Sequence, residues 1–156
     1  MTTFENSKNR NDWSGVRIAL MALVLVGVAA CGQAMMHRVR KPAASEFGMG
    51  PRTSAKGLYV ATLQSAEPLR TRKLQTLQVS IADPSGAAVE GATIGIDGGM
   101  PQHGHGLPTQ PRVTGTNGNG VYVIEGVRFN MGGWWEFKVA VDGPAGPDTI
   151  TFNLAL

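Results

Sequence analysis

The stretch Leu77-Gln78-Val79-Ser80-Ile81 alternates apolar and polar side chains without interruption. Successive side chains of a β-strand point to opposite faces, so this alternation predicts a strand with one buried and one solvated face. The stretch Trp135-Glu136-Phe137-Lys138-Val139-Ala140-Val141 repeats the same period of two. Two half-buried strands of this kind indicate sheets whose apolar faces pack against each other.

The chain from residue 57 onward consists of short apolar or alternating runs separated by turn-forming residues. Seven such runs cover residues 58–63, 74–82, 92–96, 113–116, 121–129, 134–141 and 149–156. The pairs Asn117-Gly118 and Asn119-Gly120 supply the positive φ values that tight hairpins require. No stretch in this part of the chain sustains a helical period with capping residues. The pattern predicts an all-β fold, a single seven-stranded antiparallel β-sandwich of the immunoglobulin-like kind.

The N-terminal part of the chain has the composition of a targeting segment. Residues 1–17 are polar and carry three basic side chains, and residues 18–30 form an uncharged apolar run of 13 residues. This run is shorter than the roughly 20 residues of a spanning helix and fits the apolar region of a secretory signal. It ends in Val28-Ala29-Ala30-Cys31, which contains the only cysteine of the chain and resembles a bacterial lipobox.

We therefore expect residues 1–31 to be a lipoprotein signal peptide, with Cys31 as the lipidated residue. An uncleaved anchor is an alternative, because no residue from 18 to 36 is charged, and a plainly cleaved secreted form is a third. All three predict an extracytoplasmic domain. The first two anchor it to a membrane, in the periplasm or at the surface of a bacterium.

Residues 32–56 contain prolines, glycines and five basic residues without apolar periodicity, which predicts a flexible tether followed by one domain over residues 57–156. Arg38, Arg40 and Lys41 are placed to touch anionic lipid headgroups. No basic stripe is interleaved with aromatic residues, so we expect no nucleic-acid partner. A single cysteine excludes an intrachain disulfide.

The stretch Met100-Pro101-Gln102-His103-Gly104-His105 carries two of the three histidines of the chain. Residues two apart in an extended segment point to the same side, so the imidazoles of His103 and His105 are predicted to lie together. Imidazole and thioether groups suit copper, with methionine favouring Cu(I). The alternative is architectural: the histidines donate to carbonyls that a turn leaves unpaired, and the methionines fill gaps in the core.

Two resemblances bear on this choice. The stretch "LQVSIADPSGAAVEGATI" (77–94), followed by "TGTNGNGVYVIEGV" (114–127), resembles the transthyretin-like type of β-sandwich. The stretch "MPQHGHGLPTQPRV" (100–113), followed by "FNMGGWWEFKVAV" (129–141), resembles the FixH/YtkA-like domain family of bacterial extracytoplasmic proteins. This second resemblance implies that Met131 lies at the same end of the sandwich as the histidines.

The FixH/YtkA-like resemblance also implies a function in copper handling or respiratory-oxidase maturation. The hypothesis is an accessory module that binds copper at Met100, His103, His105 and Met131, and delivers it to a membrane exporter or oxidase complex. The alternative is an adaptor that docks on a cell-envelope membrane complex without metal. No nucleophile or phosphate-binding motif is present, so we do not expect an enzyme.

Trp134 and Trp135 are adjacent, so in a strand only one of them faces the core. The register of Phe137 and Val139 predicts that Trp135 is the inward residue. Trp134 then faces outward, either as an anchor for a partner or packed under a loop.

Overall fold

The computed structural model describes residues 39–156. The predicted signal peptide, the lipidation site Cys31 and the first residues of the predicted tether lie outside this part of the chain. A short 3-10 helix, Ala44–Glu46, is followed by nine strands. They are β1 (Arg52–Thr53), β2 (Val60–Gln64), β3 (Gln75–Ala82), β4 (Thr93–Met100), β5 (His105–Gly106), β6 (Arg112–Gly118), β7 (Val121–Val127), β8 (Trp134–Gly143) and β9 (Gly146–Ala155).

The strands form two antiparallel sheets that pack face to face, which confirms the predicted all-β sandwich. The five-stranded sheet has the order β1-β2-β3-β7-β6, and the four-stranded sheet has the order β5-β4-β8-β9. Seven of the strands correspond to the predicted runs, but the predicted number of seven is wrong. The two additional strands, β1 and β5, have two residues each, which is too short to show an apolar period in the sequence.

The core lies between the sheets and is built from the inward face of each strand. Leu77, Val79 and Ile81 are buried on β3, as their alternation predicts. Trp135 is fully buried on β8, and its ring centroid lies 5.2 Å from that of Phe129 in an edge-to-face arrangement. Such aromatic pairs contribute about 0.5–1.5 kcal/mol beyond the burial of their area.

The proline and glycine content of residues 142–148 indicates a loop between two of the predicted runs. Strands β8 and β9 nevertheless extend through most of this stretch. Gly143 pairs with Gly146, so the connection is a two-residue turn at Pro144 and Ala145. Gly146 has a φ of 99°, a conformation open to glycine and rarely adopted by other residues. The hairpin is therefore tighter and its strands longer than predicted.

The described part of the predicted tether is paired with both sheets. The Gly48 amide donates to the Asn153 carbonyl on β9, and the Leu63 amide of β2 donates to the Met49 carbonyl, at 2.8 Å each. Residues 47–49 therefore join an edge of one sheet to the other, and β1 adds to the edge of the five-stranded sheet. The folded domain begins before the predicted boundary at residue 57. Within residues 39–156, no helix has the length and apolar character needed to span a bilayer.

Candidate metal centre

The histidine-bearing loop is a tight hairpin turn between β4 and β5. Met100 pairs with His105 and Gly99 with Gly106. The amides of His103 and Gly104 both donate to the Met100 carbonyl, at 3.0 and 2.9 Å. Gly104 adopts a left-handed conformation with a φ of 65°, which closes the turn without steric cost. Backbone hydrogen bonds and one glycine therefore account for the shape of the loop.

The imidazoles of His103 and His105 are exposed and lie side by side. Their ring centroids are 6.3 Å apart and their planes differ by 15°. Neither imidazole makes a hydrogen bond to another residue of the described chain. The architectural alternative, in which buried histidines hold the loop, is therefore not seen within residues 39–156. Both rings are free to bind a ligand.

The spacing of the two rings is close to that of a shared metal ion. With a metal–nitrogen bond of about 2.0 Å, two imidazoles on one ion have ring centroids about 5–6 Å apart. The observed 6.3 Å lies just above this range. Both side chains are exposed, so the surrounding structure leaves them room to rotate.

Met100 is buried, which sets it apart from the other three residues of the predicted set. Strand β4 extends four residues beyond the predicted run and ends at Met100, whose side chain is 2% exposed and belongs to the core. It faces inward with Ile94 and Ile96, because residues two apart on a strand share a face. Its methyl carbon, Cε, lies 2.8 Å from the position that a Cβ on Gly133 would occupy.

Met131 lies at the same end of the sandwich and is accessible. Its side chain is 41% exposed. The loop of residues 131–133 is held against the core by the indole Nε1 of Trp135, which donates to the Met131 carbonyl at 3.0 Å. Gly133 of this loop contacts Met100 of the histidine hairpin, so the two loops adjoin each other.

The donors that this end presents are two imidazoles and one thioether. No third histidine, cysteine or carboxylate within residues 39–156 joins the pair, and Met131 is an exposed thioether on the adjoining loop. A set of two imidazoles and one thioether suits a copper ion better than zinc, whose structural sites take four nitrogen, sulfur or carboxylate donors.

Trp134 faces away from the core, as predicted, but it is only 5% exposed. Its Nε1 donates to the Asn153 side-chain oxygen at 2.9 Å. Its indole lines an open apolar cleft of about 530 Å³ together with Pro42, Phe47 and Leu156. The packed arrangement is therefore the observed one, and Trp134 is not a freely exposed anchor. The sequence alone does not predict this cleft, because Pro42 and Phe47 lie in the predicted tether.

Comparison with known proteins identifies a family but no individual relative. A family model described as YtkA-like matches residues 53–140, more than half of the chain. The matched segment contains both loops described above, with His103, His105 and Met131. No curated protein and no solved structure shows a significant match to the chain.

Proposed function

The chain belongs to the YtkA-like family, and we propose that it is a membrane-tethered, extracytoplasmic accessory module that binds copper through His103 and His105. Met131 is the third donor in this proposal, and the ion is cargo for a membrane exporter or a respiratory oxidase. The observation that carries the proposal is the pair of exposed, nearly parallel imidazoles whose centroids lie 6.3 Å apart.

The local structure supports a ligand-binding use of the histidines. The hairpin turn keeps its shape through the two amide bonds to the Met100 carbonyl and through Gly104. The imidazoles are therefore not needed to hold the loop, and they face solvent on a firmly positioned turn. Donors fixed in this way lose less conformational freedom when they bind an ion.

The location rests on the sequence. The uncharged run of residues 18–30 ends in the lipobox-like Val28-Ala29-Ala30-Cys31. Lipidation of Cys31 would hold the domain at a membrane outside the cytoplasm, where copper is delivered to membrane complexes. The uncleaved anchor gives the same location.

The test is a titration of the full-length protein with Cu(I) and Cu(II) against a chromophoric competitor. We expect binding by the wild-type chain and its loss in the His103→Ala/His105→Ala double variant. Gln102→Ala is the matched control, since it lies in the same turn and carries no donor that copper prefers. Equal affinities of wild type and double variant would rule out the site.

An adaptor that docks on a cell-envelope complex without metal is the second candidate. The observation in its favour is that the imidazole pair has no third histidine, cysteine or carboxylate partner in the described chain. Under this function the double variant binds its partner complex as wild type does, and copper changes neither stability nor docking.

A further inference from the structure

The polypeptide enters the sandwich at the end that carries the histidines. Lys41 and Pro42 line the apolar cleft with Trp134, and Trp134 begins the strand that follows the Met131 loop. We name this end, formed by residues 39–47, the turn at 101–104 and the loop at 130–133, the tether end. The opposite end carries the turns at 83–86, 118–120 and 144–145.

The loop of residues 65–74 also lies at the tether end. The Arg72 amide donates to the Phe129 carbonyl at 2.6 Å, and Thr71 forms an isolated bridge with the same residue. Phe129 packs against Trp135, directly below the Met131 loop. The basic side chains of this loop therefore lie on the same end as the histidines.

The two ends carry opposite charge. The tether end has seven basic residues against four carboxylates, Glu46, Glu67, Glu125 and Glu136, the last of which pairs with Gly99 beside the histidine hairpin. The basic residues are Arg40, Lys41, Arg70, Arg72, Lys73, Arg112 and Arg128. Arg112 belongs to this end because it pairs with Glu125, two residues before Val127, whose own partner is Gln75 at the start of β3.

The opposite end is acidic. Its carboxylates are Asp83, Glu90, Asp142 and Asp148, and its basic residues within residues 39–156 are Lys56 and Arg52, which pairs with Ala61 beside the start of β2. Their placement follows from their contacts. The Asn119 amide of the 118–120 turn donates to Glu90, and the Lys56 amide donates to Asp148.

Exposed apolar side chains are confined to the tether end as well. The large hydrophobic residues that remain exposed within residues 39–156 are Val39, Leu74 and Met131, at 50%, 62% and 41%. Val39 begins the described chain, Leu74 precedes the first residue of β3, and Met131 flanks the histidine hairpin. A surface that combines basic and apolar side chains is typical of contact with an anionic bilayer.

We propose that the tether end rests on the anionic surface of the membrane, so that His103 and His105 face the bilayer. This inference rests on the membrane tether of the proposed function. Seven residues lie between Cys31 and Val39, and the eight Cα–Cα steps that join the two span at most about 29 Å when fully extended. Strand β8 alone has ten residues, whose nine rises span about 30 Å, so even a fully extended tether falls short of the opposite end.

The electrostatic attraction acts in the same direction. Each lysine or arginine near an anionic leaflet strengthens association by about fivefold, while the carboxylates of the opposite end are repelled. The candidate site would then release copper at the level of the bilayer surface. The partner that receives the ion is in that case embedded in the membrane and not a freely diffusing protein.

The test measures orientation without copper. Full-length protein carrying Gln102→Cys at the tether end or Ala145→Cys at the opposite end is labelled with a fluorophore, and wild type gives the background from Cys31. The proteins are reconstituted into phosphatidylcholine vesicles that contain nitroxide-headgroup lipid, with or without phosphatidylglycerol. We expect strong quenching of the label at residue 102, increased by phosphatidylglycerol, and weak quenching at residue 145.

A charge variant sharpens the result. The Arg70→Gln/Arg72→Gln double variant is expected to shift the equilibrium of docked and undocked protein by about 25-fold, whereas Lys56→Gln at the opposite end leaves it unchanged. Equal quenching at residues 102 and 145 in protein that floats with the vesicles would refute the proposed orientation but not the membrane tether. Protein that does not float would overturn the tether, and the orientation with it. Neither result depends on the copper titration.

Discussion

Replacing Met100 and Met131 by leucine, one at a time, separates a buried thioether from an exposed one. Met100 is 2% exposed and part of the core, whereas Met131 is 41% exposed. Leucine has a similar volume to methionine but offers no sulfur. Met100→Leu therefore changes the packing of the core, whereas Met131→Leu removes the accessible sulfur.

The expected effects on stability follow from burial. Exchanging methionine for leucine in a packed core costs less than about 1.5 kcal/mol, so Met100→Leu should lower the free energy of unfolding by about 1 kcal/mol. Met100→Ala should lower it by about 2–5 kcal/mol, because it leaves a cavity beside Gly133. Met131→Leu should change it by no more than about 0.5 kcal/mol. Urea unfolding followed by tryptophan fluorescence measures all three.

The expected effects on copper are reversed. Met131→Leu should weaken Cu(I) binding by about tenfold or more, since even residues that only support a ligand contribute that much. Met100→Leu should leave Cu(I) affinity unchanged. The measurement is a competition titration with a chromophoric Cu(I) chelator on the same protein samples. Weaker Cu(I) binding by Met100→Leu, together with wild-type affinity of Met131→Leu, would show that the buried thioether is the ligand and that the assignment made here is wrong.

Two further predictions concern the opposite end of the sandwich. Gly120→Ala should lower the free energy of unfolding by about 2–4 kcal/mol, because Gly120 has a φ of 71° and a Cβ would meet the Ile81 carbonyl oxygen, which cannot rotate away. The control Gly86→Ala, with a φ of 90° and open space around it, should lower it by about 1 kcal/mol. Equal urea midpoints of the two variants would refute this prediction. Burial raises the pKa of the Asp148 carboxyl, but hydrogen bonds from Ser54 and backbone amides outweigh it and hold that pKa below its ordinary value. The carboxylate therefore stabilises the fold above about pH 4 and loses this effect as the pH falls through its lower folded pKa. Asp148→Asn should lower the Tm at pH 7, with the difference from wild type narrowing at pH 3; a difference that is the same at both pH values would contradict this.

The sequence predicted the sandwich because long strands carry their own signal. On β3 and β8 the apolar period of two extends over several residues, so one buried face is visible without any knowledge of the partner strand. β1 and β5 have two residues each and exist only through backbone pairing with β2 and β4. Pairing of this kind leaves no pattern in side-chain type. Residues 47–49 likewise pair through backbone groups and show no apolar period.

Two physical features that shape the site are not visible in the sequence. Strand β4 continues to Met100 because Gly98 and Gly99 allow close approach of neighbouring backbone. A Cβ on Gly98 would lie 2.7 Å from the Glu136 carbonyl oxygen, and one on Gly99 would lie 2.7 Å from that of His105. In the sequence the same glycines indicate a turn. Trp134 lines a cleft together with Pro42 and Phe47, and proximity between residues so far apart in sequence leaves no local pattern.

The stretch from Met100 to His105 therefore combines two functions in six residues. Met100 packs into the core and its carbonyl accepts the two amides that close the turn. This arrangement fixes the hairpin from inside the sandwich, so His103 and His105 need make no structural contact and remain exposed. A copper ligand must be both positioned and unoccupied, and the hairpin meets both requirements by assigning the structural task to methionine and glycine. By the same reasoning, Met131, on a loop held through its backbone by Trp135, is the thioether that the proposed copper site uses.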